Sequence, residues 1–113
     1  MNEEWKQIRE YYERALYALR CPRHLNGQKQ WSRNQQTGRY YLWKAYQAAR
    51  ESTIPDHLIF ARILALMADE HRRFPSEYGR LRYYVKPAYE QYQLAVAEGQ
   101  SASAQELEFI EWL

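Results

Sequence analysis

The sequence predicts an all-α fold, in which residues 1–113 form a single domain, a bundle of about five helices with one long polar loop. Apolar residues recur at three- and four-residue steps along most of the 113 residues. This is the period of an amphipathic helix, and no segment alternates as a half-buried strand does. A hydrophobic content of 46% and an aromatic content of 16% supply enough apolar surface for one core.

The first helix is expected over residues 3–20. Its apolar residues, from Trp5 to Leu19, fall on one face. Pro22 ends it, because proline lacks the N–H group that a helix interior requires. The following residues, 21–38, contain two glycines and no apolar period. They are therefore expected to form the long polar loop, and loops of this length are usually functional or disordered.

Four further helices are expected after the loop, most of them next to residues that favour helix ends. They cover residues 39–52, 55–73, 76–98 and the segment from Ser103 onward. Asp56 follows Pro55 at the start of the third helix, and Gly99 is placed to stop the fourth. Pro87 lies inside the fourth helix and is expected to kink it near Lys86.

Charge is strongly segregated along the chain. The whole protein carries only +2, yet no acidic residue lies between Glu13 and Glu51, where eight basic residues fall. Six aromatic side chains lie in the same stretch. Basic and aromatic residues together are typical of proteins that bind single-stranded nucleic acid, since cations follow the phosphate backbone and rings stack on bases.

The second helix places part of this charge on one face. Arg39, Trp43, Tyr46 and Arg50 follow at spacings of four, three and four residues, nearly opposite a stripe of small residues. They are expected to point outward and to contact nucleic acid. A second basic cluster lies around the fourth helix. The candidate nucleic-acid contacts are Lys29, Trp31, Arg33, Arg39, Trp43, Lys44, Tyr46, Arg50, Arg80, Arg82 and Lys86.

Residues 80–95 resemble a known family. They read Arg-Leu-Arg-Tyr-Tyr-Val-Lys-Pro-Ala-Tyr-Glu-Gln-Tyr-Gln-Leu-Ala, which is similar to a late helix in the small helical subunit of type III-A CRISPR effector complexes. Residues 37–39, Thr-Gly-Arg, are similar to the turn that opens an earlier helix in that family. The Gly-Arg pair that follows the late Ala-Tyr in the family is missing here. The resemblance implies a non-catalytic subunit of antiviral defence that stacks in several copies along a crRNA–target duplex and contacts RNA through Arg39 and residues 82–86.

No catalytic residue, metal site or cofactor is predicted. Cys21 and His24 match half of a zinc site, but no second pair of ligands lies at a suitable spacing. His71 has acidic and basic neighbours, but adjacent residues on a helix do not face each other. No phosphate-binding loop or nucleophile motif occurs. The protein is therefore expected not to be an enzyme.

Cysteine content and hydropathy favour a cytoplasmic protein. A single cysteine cannot form an internal disulfide, and the acidic N-terminal residues do not resemble a secretory signal. No apolar run is long enough to span a membrane. The basic residues 14–50 and the acidic residues 90–113 could match each other between copies, so head-to-tail self-association or other protein subunits are expected partners.

Two functions are compatible with these patterns. The favoured one is a non-catalytic helical protein that binds RNA or single-stranded DNA, with RNA preferred, as a subunit of a larger assembly. The alternative is a protein–protein adaptor or inhibitor, of the immunity or anti-defence type, whose basic and aromatic face meets an acidic protein. The sequence leaves both open, because exposed tryptophan, tyrosine and arginine also dominate the binding energy of protein interfaces.

Overall fold

The structure is a computed structural model that describes residues 3–20, 23–73 and 81–100, and the side chains of all these residues except 23–26, 71–73 and 81–83. It contains helices α1 (Glu3–Leu19), α2 (Arg23–Glu51), α3 (His57–Arg73) and α4 (Leu81–Ala97). No strand occurs in the described ranges, and the all-α class is confirmed for them. The predicted fifth helix, from Ser103, and the predicted start of the fourth near Ser76 lie outside the described residues.

The helices pair into two compact units. Helix α1 packs against α2 in the N-terminal unit, Met1–Thr53, and α3 packs against α4 in the C-terminal unit, Ile54–Leu113. Each described pair joins helices that are consecutive along the chain. The expectation of a single domain over residues 1–113 stays a prediction.

Helix α2 overturns the expected loop over residues 21–38. The helix begins at Arg23 and continues to Glu51, with one interruption at Gly27, where φ is 71° and ψ is 164°. Glycine adopts this positive φ without the steric cost that a Cβ would add. The loop prediction is therefore wrong from residue 23 onward, and a regular helix covers residues 28–51.

Local hydrogen bonds help these polar residues to stay helical. The side chain of Gln30 donates to Asn34 Oδ1 at 3.1 Å, and that of Gln28 donates to Ser32 Oγ at 3.5 Å. Both pairs join residues one helical turn apart, where side chains are neighbours on the helix surface. A polar stretch without an apolar period can thus be helical when one of its faces also packs against another helix.

The packing face of α2 continues through residues that do not look like core residues in sequence. Gln35 is 2% exposed, and its amide nitrogen donates to the carbonyl of Leu19 at 3.2 Å, at the C-terminal end of α1. A Cβ on Gly38 would lie 2.6 Å from Cγ of Leu19, so glycine allows the two helices to approach closely here. The buried face then continues through Leu42, Ala45 and Ala49.

Helix α3 begins at His57, two residues after the predicted start at Pro55. The carboxylate of Asp56 accepts a hydrogen bond from the backbone N–H of Ile59 at 3.2 Å, as an N-cap residue does. From Ile59 to Ala68 only Phe60, Arg62 and Leu66 are not fully buried. The apolar run of this helix is therefore a core segment of the C-terminal unit.

Helix α4 ends at Ala97 with a Schellman motif. Gly99 has a φ of 85°, its N–H donates to the carbonyl of Val96 at 3.0 Å, and the N–H of Gln100 donates to the carbonyl of Ala95 at 2.9 Å. These two bonds satisfy carbonyls that the last turn leaves without intrahelical partners. The predicted glycine stop is confirmed.

Pro87 lies within α4, which continues on both sides of it from Leu81 to Ala97. The proline therefore does not divide the helix, and the expected kink at this residue stays a prediction. None of the described helices has both the length and the hydropathy needed to cross a bilayer.

Candidate nucleic-acid interface

The exposed side of α2 is basic along its whole regular length. Five basic side chains are exposed there, and Glu51 is the first acidic residue that the helix reaches. They are Lys29, Arg33, Arg39, Lys44 and Arg50. From Lys29 to Lys44 the helix rises by about 22 Å. The one carboxylate of α2 is that of Glu51, its last residue. We call these five cations the basic side of α2.

Two exposed aromatic rings lie among these cations. The Tyr40 side chain is 57% exposed and that of Trp43 is 47% exposed. The ammonium of Lys44 lies 5.6 Å from the centre of the Tyr40 ring, within the range of a cation–π contact. Helix α2 therefore combines cations and exposed aromatic side chains on one surface.

Tyr46 does not lie on this surface. Its side chain is only 5% exposed, so the expectation that it points outward is wrong. The residue is four positions after Leu42 and three before Ala49, which places it at the margin of the buried stripe. The small side chains of that stripe leave room for a large ring beside them.

Tyr46 instead supports its two predicted partners. Its ring centre lies 5.7 Å from that of Trp43, with an angle of 35° between the planes, and 5.4 Å from the guanidinium carbon of Arg50. These three predicted site residues therefore form one contact cluster. Trp43 and Arg50 are its exposed members, and both contact the buried ring of Tyr46.

The remaining candidates are distributed over both units. Arg39 is exposed on α2, whereas Trp31 is half-buried on it. Lys86 is exposed on α4, in the C-terminal unit. Arg80 lies outside the described residues, and the side chain of Arg82 lies outside the described side chains.

An aromatic cluster between α1 and α2 was not singled out by the sequence. The rings of Tyr11 and Tyr41 stack with centres 6.2 Å apart, and the guanidinium of Arg14 lies 5.5 Å from the centre of the Tyr41 ring. Tyr41 also contacts Tyr40 edge to face at 5.4 Å. This cluster connects α1 to the basic side of α2. Its only sequence signal is the density of tyrosines, because the contacts depend on how α1 and α2 pack.

An open groove of about 510 Å³ lies beside this cluster, between α1 and α2. Both charged and aromatic side chains line it, and the Tyr17 ring at its edge is 80% exposed. The lining residues are Glu10, Glu13, Arg14, Tyr17, Ala18, Asn34, Thr37 and Tyr41. Glu13 is already held by Arg9, whose Nε lies 3.1 Å from its carboxylate.

Metal ligands do not converge within the part of the chain whose side chains are described. No group of three His, Cys, Asp or Glu side chains there could hold an ion. His57 instead connects the start of α3 to α4. Its Nδ1 lies 2.6 Å from Oε1 of Gln91, and its Nε2 lies 3.1 Å from the carboxylate of Glu98.

No protein-family model, curated protein or solved structure matches this chain. The resemblance of residues 80–95 and 37–39 to the small subunit of type III-A CRISPR effector complexes therefore stays a prediction.

Proposed function

We propose that the protein binds single-stranded nucleic acid, RNA in preference to DNA, and acts without catalysis as a subunit of a larger assembly. The observation that supports this proposal is the basic side of α2, where five exposed cations surround the exposed rings of Tyr40 and Trp43. A row of exposed cations attracts a polyanion, and exposed rings offer bases a surface on which to stack.

The spacing on α2 gives each group a role. Lys29, Arg33 and Lys44 lie along about 22 Å of the helix and would contact separate phosphates of one strand. Tyr40 and Trp43 lie among them and would stack on bases. Because Lys44 lies over the Tyr40 ring at 5.6 Å, a phosphate contact and a base contact are available at the same place.

The salt dependence of binding tests this proposal directly. Labelled single-stranded RNA, single-stranded DNA and duplex DNA are titrated at several salt concentrations. Neutralisation of phosphates by the five exposed cations predicts a log–log slope of about −3 to −4 for single strands. The variant K29Q/R33Q/K44Q should reduce that slope by about 2. In a separate single-charge comparison, K44Q should weaken binding and K6Q, an exposed lysine on α1, should serve as its control.

Stacking is tested separately from charge. Trp43→Ala should weaken strand binding by at least about fivefold, because stacking of a base on an aromatic ring contributes about 1–3 kcal/mol. Leu94→Ala removes an apolar side chain of similar exposure from α4 and should leave binding unchanged. If no single strand binds at about 50 mM salt, where phosphate contacts are strong, the proposal is wrong.

A protein–protein adaptor or inhibitor is the second candidate function. The Trp43–Tyr46–Arg50 cluster supports it, since a tryptophan and an arginine held by a buried tyrosine are the residue types that dominate interface energies. This function predicts that the basic side of α2 binds an acidic protein and no nucleic acid. The two functions therefore differ in the salt titration.

Assembly is a separate part of the proposal. The resemblance to the CRISPR small subunit implies stacked copies, and the opposite charges of residues 14–50 and 90–113 would allow head-to-tail contact. A cytoplasmic location would suit both. Light scattering during gel filtration should show a mass that rises with protein concentration and falls with salt. A constant monomer mass at high concentration would contradict self-association.

A further inference from the structure

We infer that the groove between α1 and α2 binds a guanine base of the bound strand, an inference that rests on the proposed function. The groove is continuous with the basic side of α2. Tyr41 lines the groove and contacts Tyr40 edge to face at 5.4 Å, and Lys44 lies over Tyr40 at 5.6 Å. A strand that follows Lys44 and Tyr40 thus passes beside the groove.

The size of the groove suits one nucleotide. Its volume of about 510 Å³ lies within the range of small-molecule sites. Tyr17, which is 80% exposed, also lines the groove and adds an aromatic surface of the kind on which bases stack. Asn34 and Thr37 line the opposite wall with polar side chains. Because Gln30 donates to Oδ1 of Asn34, the amide nitrogen is the atom that Asn34 offers to a ligand.

The charges in the groove favour a base over a phosphate. Glu10 and Glu13 both line it, and carboxylates repel phosphate but accept N–H hydrogen bonds. Since Glu13 is held by Arg9 at 3.1 Å, Glu10 is assigned as the carboxylate that binds the base. A carboxylate presents two oxygens side by side and binds best to two adjacent donors.

Guanine is the base that matches this set of groups. Its Watson–Crick edge carries two adjacent donors, N1–H and the N2 amino group, which suit the two oxygens of Glu10. Its O6 and N7 are acceptors that suit the guanidinium of Arg14. Adenine and cytosine offer one amino group on that edge and uracil offers one imino proton. None of these three bases can donate to both oxygens of Glu10 from two adjacent groups and also accept hydrogen bonds from Arg14.

A basic peptide is the competing occupant, because tyrosines and carboxylates together also attract cations. The groove already holds a cation of its own. The guanidinium of Arg14 lies 5.5 Å from the centre of the Tyr41 ring and lines the groove. The positive charge of Arg14 would repel a second cation, whereas a neutral base could accept hydrogen bonds from its guanidinium.

Base substitution in a fixed strand tests the inference. The probes are labelled oligouridylates of equal length with a central guanosine, a central adenosine or no substitution, and their affinities are measured by fluorescence anisotropy. The guanosine strand should bind about tenfold more tightly than the other two, as a good bidentate contact provides. The variant E10Q should abolish this preference and keep the affinity for oligouridylate. The control E3Q removes an exposed carboxylate outside the groove and should keep the preference.

The outcomes separate this inference from the proposed function. Equal affinity of the wild-type protein for all three strands would overturn the guanine site and leave strand binding intact. Absence of binding to every strand would overturn both. A lysine-rich peptide that binds with an affinity dependent on Glu10 would also overturn the inference. Circular dichroism of the E10Q protein should match the wild type, because Glu10 is exposed on α1.

Discussion

The guanidinium carbon of Arg50 lies 5.4 Å from the centre of the Tyr46 ring, one helical turn away on α2. Tyr46 is buried and Arg50 is exposed, so the contact joins the core of the N-terminal unit to its basic surface. A residue that was expected to bind nucleic acid thus has a structural role beneath two residues that remain accessible.

Replacement of Tyr46 should therefore lower the stability of the protein, because the residue is part of the core and does not contact nucleic acid directly. Tyr46→Ala should lower the free energy of unfolding by about 3 kcal/mol or more, since it removes a large buried ring. Arg50→Gln should lower it by only about 0.5–1 kcal/mol, the size of an exposed cation–π contact. Urea denaturation measures both. Equal effects of the two substitutions would contradict the assignment of Tyr46 to the core.

The close approach of Gly38 to Leu19 makes a second prediction. A Cβ at position 38 would lie 2.6 Å from Cγ, 2.8 Å from Cδ2 and 3.2 Å from the backbone nitrogen of Leu19. Gly38→Ala should therefore destabilise the protein by about 1–3 kcal/mol through overpacking. Helix propensity alone predicts the opposite sign, a gain of about 1 kcal/mol.

A second substitution shows whether the clash is the cause. In thermal unfolding, L19A/G38A should be more stable than the sum of the two single effects predicts, because the shorter side chain makes room for the new methyl group. Gln47→Ala, at an exposed position of the same helix, should change stability little. A stabilised Gly38→Ala protein would show that the two helices do not pack this closely.

Gln35 tests the hydrogen bond that joins the two helices. Its amide nitrogen donates to the carbonyl of Leu19 at 3.2 Å, and its Oε1 has no hydrogen-bond partner among the described residues. Gln35→Glu should replace that donor with a buried carboxylate facing a carbonyl oxygen. It should destabilise the protein by at least about 2 kcal/mol more than Gln35→Met, which fills the same space without a charge. Equal melting temperatures for the two variants at neutral pH would show that the side chain of residue 35 is not buried against the carbonyl of Leu19.

The C-terminal unit has a comparable connection at His57. The imidazole contacts Gln91 of α4 at 2.6 Å and the carboxylate of Glu98, the residue that follows α4, at 3.1 Å. His57→Ala should lower the free energy of unfolding by about 1 kcal/mol or more. A double-mutant cycle with Glu98→Gln should give a coupling of about 0.5 kcal/mol or more, whereas a cycle with the exposed Glu90→Gln should give none. Additive effects in the first cycle would disprove the contact.

The start of α3 and the end of α4 could be predicted closely from the sequence because their signals are local. Asp56 caps α3 through its own side chain, and Gly99 stops α4 because few other residues adopt a positive φ. The course of α2 could not be predicted in this way. Gln35 and Gly38 occupy core positions only because Leu19 supplies a carbonyl and a close surface, and these belong to another helix.

In the candidate site, too, some features could be predicted from the sequence and others depend on how the helices pack. The acid-free charge pattern is a property of the chain alone, and the exposed position of Trp43 followed from helical spacing. The burial of Tyr46 did not follow, because helical spacing places this residue at the boundary between core and surface. The contacts of Tyr41 with Tyr11 and Arg14 depend on how α1 and α2 pack, and no spacing within one helix predicts them.

The helical state of residues 28–38 also affects the entropy and the heat capacity change expected when a strand binds to the basic side of α2. Lys29 and Arg33 belong to a formed helix, so their backbone does not have to become ordered when a ligand arrives. The conformational entropy that a loop would lose on binding has already been lost on folding. Calorimetry should therefore give a heat capacity change that reflects only the surface covered by the strand, without the larger negative value that accompanies coupled folding.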